Sequence, residues 1–78
     1  MERNILITGI TGLIGNYVFK KLATFDGINI TGQYISPRNI SDYTEVGVKM
    51  VRADICDAVQ IRNLCQNMNI VIHTAARV

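Results

Sequence analysis

Apolar residues fall in two rhythms along this chain. Ile5-Leu6-Ile7 is unbroken and β-branched at both ends, which predicts a short strand over residues 4–8, buried on both faces. From Leu13 the rhythm changes. Ile14, Val18, Leu22 and Phe25 recur at steps of four, four and three, which puts them on one helix face, and Asp26-Gly27 stops that helix. Residues 28–34 read as a second strand, and Ser36-Pro37-Arg38-Asn39 as a turn cluster. Residues 40–46 are polar and carry no clear period. Residues 48–52 form a third predicted strand. Asp57 then reads as a helix N-cap with Gln60 in the capping-box position, and Ile61, Leu64, Cys65 and Met68 supply the apolar stripe of a second helix. Ile70-Val71-Ile72 predicts a fourth strand.

Strands that are apolar on both faces and joined by helices pair in parallel, with the helices covering the sheet. Right-handed crossovers then favour an α/β, doubly wound sheet of about four strands, in order 3-2-1-4 with flanking helices. At 78 residues, 49% of them hydrophobic, the chain is one small domain or part of one and is not a disordered segment. Its net charge of +2 comes from scattered Lys and Arg without a basic stripe, so no nucleic-acid partner is expected. No apolar run approaches the roughly 20 residues of a membrane helix. The start, Met1-Glu2-Arg3-Asn4, fits a secretory signal poorly, which makes the cytoplasm the expected location. Cys56 and Cys65 show no metal-ligand spacing and read as small reduced thiols.

The chemistry concentrates in "ITGITGLIG", residues 7–15. Gly9, Gly12 and Gly15 follow the first strand directly and open the first helix. Gly9 permits a tight strand-to-helix turn. Gly12 clears space where backbone approaches a ligand, and Gly15 lets the helix lie close to the strands. The helix start offers unpaired N–H groups and the positive end of a dipole. The loop Ile10 to Ile14, with Thr11, Leu13 and the hydroxyl of Thr8, is therefore a candidate pyrophosphate cradle. No Gly-Lys-Ser/Thr follows, which excludes a Walker phosphate loop.

Thr8-Gly9-Ile10-Thr11-Gly12-Leu13-Ile14-Gly15 resembles the T-G-x-x-G-x-x-G segment of the extended short-chain dehydrogenase/reductases, the NAD(P)-dependent sugar epimerase/dehydratase group. Two later segments are similar in order and spacing. Asp54-Ile55 resembles the acid-plus-apolar pair beside the adenine, and His73-Thr74-Ala75-Ala76 the H-x-A-A segment that runs beside the cofactor. The resemblance implies a partial Rossmann fold, with residues 1–78 as the incomplete N-terminal part of an NAD(P)-binding domain. It implies a dinucleotide held at Gly9, Thr11, Gly12, Leu13, Ile14, Gly15, Asp54, Ile55, Ala75 and Ala76. It also implies a parent enzyme that transfers hydride, acting as an epimerase, dehydratase or reductase on a substrate such as a nucleotide sugar. That substrate would meet regions absent from these residues.

Several residues refine the expectation. Asp57 fills the cap role, which leaves Asp54 available to an adenine amino group. His73 is lone and reads as positional. The second strand ends without the acid that reads a ribose 2′-hydroxyl, and the nearest charge is Arg38, beside Ser36. Arginine suits a 2′-phosphate, so between NAD and NADP the expectation leans to NADP. Tyr17 and Lys21 spell the family's Tyr-x-x-x-Lys, but on the wrong helix. They read as flank residues, no catalytic residue is assigned, and the chain by itself is expected to be inactive. The fourth strand would be an apolar edge, open to association with a second copy. A rival expectation is a non-enzymatic NAD(P)-sensing or scaffold module on the same fold.

Overall fold

The computed structural model describes residues 2–74. In chain order these form β1 (Arg3–Thr8), α1 (Leu13–Leu22), β2 (Ile28–Tyr34), α2 (Ile40–Thr44), β3 (Lys49–Arg52), α3 (Ala58–Cys65) and β4 (Ile70–His73). One four-stranded sheet runs β3-β2-β1-β4, and every pair is parallel. The expected order and strand directions are those observed.

β1 is the central strand. Ile5, Leu6, Ile7 and Thr8 are all buried, as an apolar run between two parallel neighbours requires. Successive side chains alternate between faces. Ile5 and Ile7 join Ile10, Ile30, Tyr43 and Val48 in one core cluster, with Val18, Phe19 and Leu22 of α1 packed against it. The α1 face toward this core is therefore Gly15, Val18, Phe19 and Leu22. This corrects the expected stripe: Ile14 is exposed, and the helix ends before Phe25, which is exposed too. The early stop has a local cause. Thr24 Oγ1 donates to the Lys21 carbonyl at 2.8 Å, and the Thr24 and Phe25 N–H groups close tight turns onto Lys21 and Leu22.

The polar residues 40–46, unassigned from their pattern, contain the short helix α2. It carries Tyr43, whose ring packs on Phe19 with centroids 5.0 Å apart. An aromatic pair thus joins α1 and α2 on one face of the sheet. α3 adds nothing to that core cluster. After β3 the chain must return across β1 to reach β4, and a right-handed return places α3 on the other face, the side of Leu6. In α3 and the turn after it, Ile61, Leu64, Cys65 and Met68 are the half-buried positions, as the stripe predicted. Asp57 caps α3 by accepting from the Val59 and Gln60 N–H groups. These bonds, with one from the Gln60 side chain, hold its carboxyl below the ordinary range. The capping box is not reciprocal, however. The Gln60 amide bonds the Asp57 carboxylate and the Asp54 N–H instead of the Asp57 backbone.

A candidate dinucleotide cavity at the switch point

Parallel pairing brings all four strand ends to one edge of the sheet. The last rung sets Gln33, Thr8 and His73 side by side across β2, β1 and β4. The strand order reverses between β1 and β4, and open α/β sheets bind ligands outside such a switch point.

β1 turns into α1 at Gly9, whose φ of 69° lies in the left-handed region that favours glycine. Gly15 sits against that turn. A Cβ there would strike the Gly9 carbonyl oxygen and come within 2.8 Å of Ile10 Cα. At Gly12 a Cβ would lie 3.3 Å from the same oxygen, a tight but tolerable approach. Gly12 is the N-cap of α1. No side chain caps this helix, and no acid stands in its first turn. Its first N–H groups and positive dipole end therefore remain open to an anion.

Around this start lies a cavity of about 640 Å³. Gly9, Thr11, Gly12, Leu13, Ile14 and Gly15 form one wall, while Arg38, Asp54 and Ile55 stand with the ends of β2 and β3 opposite. The structure thus brings together nine of the eleven expected cofactor residues. The other two, Ala75 and Ala76, lie outside the described residues. A second cavity of about 540 Å³ adjoins the first and shares Thr11, Gly12, Leu13 and Arg38 with it. Lys20 and Asp42 line only the second one.

Three expectations are corrected at this site. Ile10 does not belong to the cradle surface, because its side chain is completely buried in the core. The Thr8 hydroxyl is not offered to a ligand: it is 2.7 Å from His73 Nδ1, and the residue is 2% exposed. Asp54 is only partly uncommitted, since its Oδ1 accepts the Cys56 N–H at 2.8 Å in a local turn. An ionised carboxylate has about four acceptor positions, so Asp54 keeps capacity for a ligand donor. His73 is positional in geometry, held by Thr8, while the Thr74 N–H and hydroxyl both donate to the Thr8 carbonyl. Tyr17 and Lys21 line neither cavity, and the Lys21 ammonium sits 5.4 Å from the Tyr17 ring centre.

Two supports of the loop were not foreseen. Gln33 is 3% exposed and accepts the Gly9 N–H at 2.7 Å. Tyr43 holds the loop from behind, with its hydroxyl 3.1 Å from the Ile10 carbonyl and 3.0 Å from Asn16 Oδ1. The phenol has one proton, so it donates to the Ile10 carbonyl and, with the Asn16 amide turned, accepts from the Asn16 side chain. Burial first, and the neighbouring Asp42 carboxylate second, push the Tyr43 phenol above its ordinary range. A signal for Gln33 existed in the sequence: an amide inside a strand buried on both faces requires partners. Tyr43 had none, because its helix is too short to show a period.

Comparisons with known proteins agree with this geometry. Residues 6–78 match the model of the 3-beta hydroxysteroid dehydrogenase/isomerase family. Among solved structures, a candidate epimerase from Burkholderia cenocepacia J2315 superposes with a TM-score of 0.80 at 28% identity, over 97% of this chain and 26% of that one. WbmH of Bordetella bronchiseptica, solved in complex with NAD+, gives 0.75 at 24% identity over 100% of this chain and 27% of that one. The terminal R domain of the myxalamid PKS-NRPS pathway gives 0.72 at 21% identity over 99% and 25%. The chain thus spans about a quarter of each solved chain. Its fold is that of the dinucleotide-binding oxidoreductases and epimerases, and by the match over residues 6–78 the chain belongs to the 3-beta hydroxysteroid dehydrogenase/isomerase family.

Proposed function

We propose that this chain is the dinucleotide-holding part of an NAD(P)-dependent oxidoreductase, epimerase or dehydratase. One observation carries the reading. The uncapped, acid-free start of α1 opens on a cavity whose far wall carries Asp54, Ile55 and Arg38. The Gly12 N–H is held by the Gly9 carbonyl, and the pyrophosphate takes the open N–H groups of Leu13, Ile14 and Gly15, where the missing Cβ of Gly12 lets it reach the backbone. Asp54 accepts from the adenine amino group, and Ile55 packs on the adenine face.

Arg38 supports NADP over NAD. It lines both cavities, Lys20 adds a second cation to the smaller one, and Asp42 offsets part of that charge. A 2′-phosphate between them would be held by charge-assisted hydrogen bonds. The bound cofactor would supply hydride exchange at a carbinol carbon, chemistry that hydroxysteroids and nucleotide sugars both permit, and the proposed substrate is a nucleotide sugar. The described residues of the cavity offer no Tyr-Lys proton-transfer pair. Binding without turnover is therefore the expected behaviour of the 78 residues, and a purely sensing role differs only in what further sequence supplies: a later Tyr-x-x-x-Lys in the gene favours the enzyme.

Separate calorimetric titrations with NADPH and NADH test the cofactor assignment. NADPH should bind more tightly, and Arg38→Ala should weaken NADPH about tenfold while leaving NADH within about twofold, the cost of a charge-assisted bond. Equal affinities for the two cofactors in the wild type would remove the NADP assignment.

A further inference from the structure

Gln33 joins the two walls of the cavity. Its Oε1 accepts the Gly9 N–H at 2.7 Å, its Nε2 donates to the Ala53 carbonyl at 2.6 Å, and its backbone carbonyl accepts the Ile10 N–H at 3.2 Å. Gly9 opens the glycine turn, and Ala53 immediately precedes Asp54. One side chain, 3% exposed, thus spans from the end of β1 to the end of β3 across its own strand. The chemistry is demanding. The position needs an acceptor and a donor on one neutral group at this reach. Glutamate lacks the donor when ionised, asparagine is one methylene short, and leucine or methionine supplies neither bond. The surroundings are buried, so losing the amide would strand both backbone groups without partners.

We propose that Gln33 is a positioning residue for the dinucleotide, fixing the distance between the phosphate loop and the adenine wall. This rests on the reading of the cavity as a dinucleotide site. A ligand that touches both walls needs them set relative to one another, and pre-set walls spare the ligand that ordering cost. A ligand that touches one wall does not need this. The role therefore has a signature that general destabilisation lacks: affinity is lost for ligands that span the cavity and kept for ligands that do not.

NMR titrations of the 78-residue wild type and of Gln33→Leu, each with ADP and with adenosine, read that signature. Wild type should bind ADP, and Gln33→Leu should weaken ADP at least tenfold while changing adenosine less than twofold. ADP affinity preserved within twofold overturns the proposal, and so does an equal loss for ADP and adenosine. A wild type that ignores ADP overturns the dinucleotide reading itself, an outcome distinct from a wild type that binds and a variant that binds equally well. Should Gln33→Leu not fold, amide exchange in the wild type decides. A Gly9 N–H protected with and without ADP supports the role, and one that exchanges as fast as an exposed amide overturns it.

Discussion

Gly9 and Gly15 belong to one evenly spaced series and do separate jobs. Gly9 takes a backbone conformation that other residues resist, with φ at 69°. Gly15 is required by contact: a Cβ would be pressed into the Gly9–Ile10 backbone, which cannot move aside as a side chain would. Gly15→Ala should therefore cost about 2–3 kcal/mol, at the upper end of overpacking losses, measured by urea denaturation. A loss below about 0.5 kcal/mol would mean that α1 can lift from the strand. These roles were legible in the sequence because the glycines sit between a strand pattern and a helix pattern. What that pattern could not show is which neighbours were already bonded. Thr8 looked like a ligand hydroxyl until its partner His73, sixty-five positions away, stood opposite it in the sheet. Asp54 looked available until its local turn with Cys56 was seen.

The elements were legible where burial imposed a period. The apolar runs of β1 and β4 and the half-buried stripe of α3 came directly from spacing. In α1 the same method chose a neighbouring stripe, because Ile14 and Phe25 are apolar yet exposed, and apolar residues are common on surfaces. α2 has only five residues and one buried position, Tyr43, so no period could reveal it. The packing of β2 was hidden for another reason. Gly32 is the seat for Ile10: a Cβ there would lie 2.7 Å from both Ile10 Cδ1 and Ile10 Cγ2, and 2.9 Å from Met50 Sδ. Gly32→Ala should destabilise by about 1–3 kcal/mol through that overlap. Because the obstacle is a side chain, Ile10→Val in the same molecule should recover part of the loss. The double-mutant cycle should show a coupling of about 0.5 kcal/mol or more. Strict additivity would contradict the seating of Ile10 on Gly32.

The molecule as a whole has one sheet edge of apolar character. Among the described residues β4 pairs only with β1, and Ile70 and Val71 are 42% and 45% exposed. Such an edge templates further pairing. Sedimentation of the 78-residue chain should show concentration-dependent association, and Val71→Lys should reduce it. A monomer at all concentrations would contradict that expectation. α1 and α2 cover one face of the sheet, and the cavity opens at the strand ends beside the start of α1. The whole assembly is thus organised around the start of α1. Calorimetric titration of wild type and Gly12→Ala with NADPH, each shown to fold by urea denaturation, tests that organisation. The added methyl stands 3.3 Å from the Gly9 carbonyl oxygen, so stability should fall by less than about 1 kcal/mol. The wild type should bind one NADPH, and the folded variant should bind it at least tenfold more weakly. No saturable binding to the wild type, or equal binding to both, would contradict a dinucleotide seated on this helix.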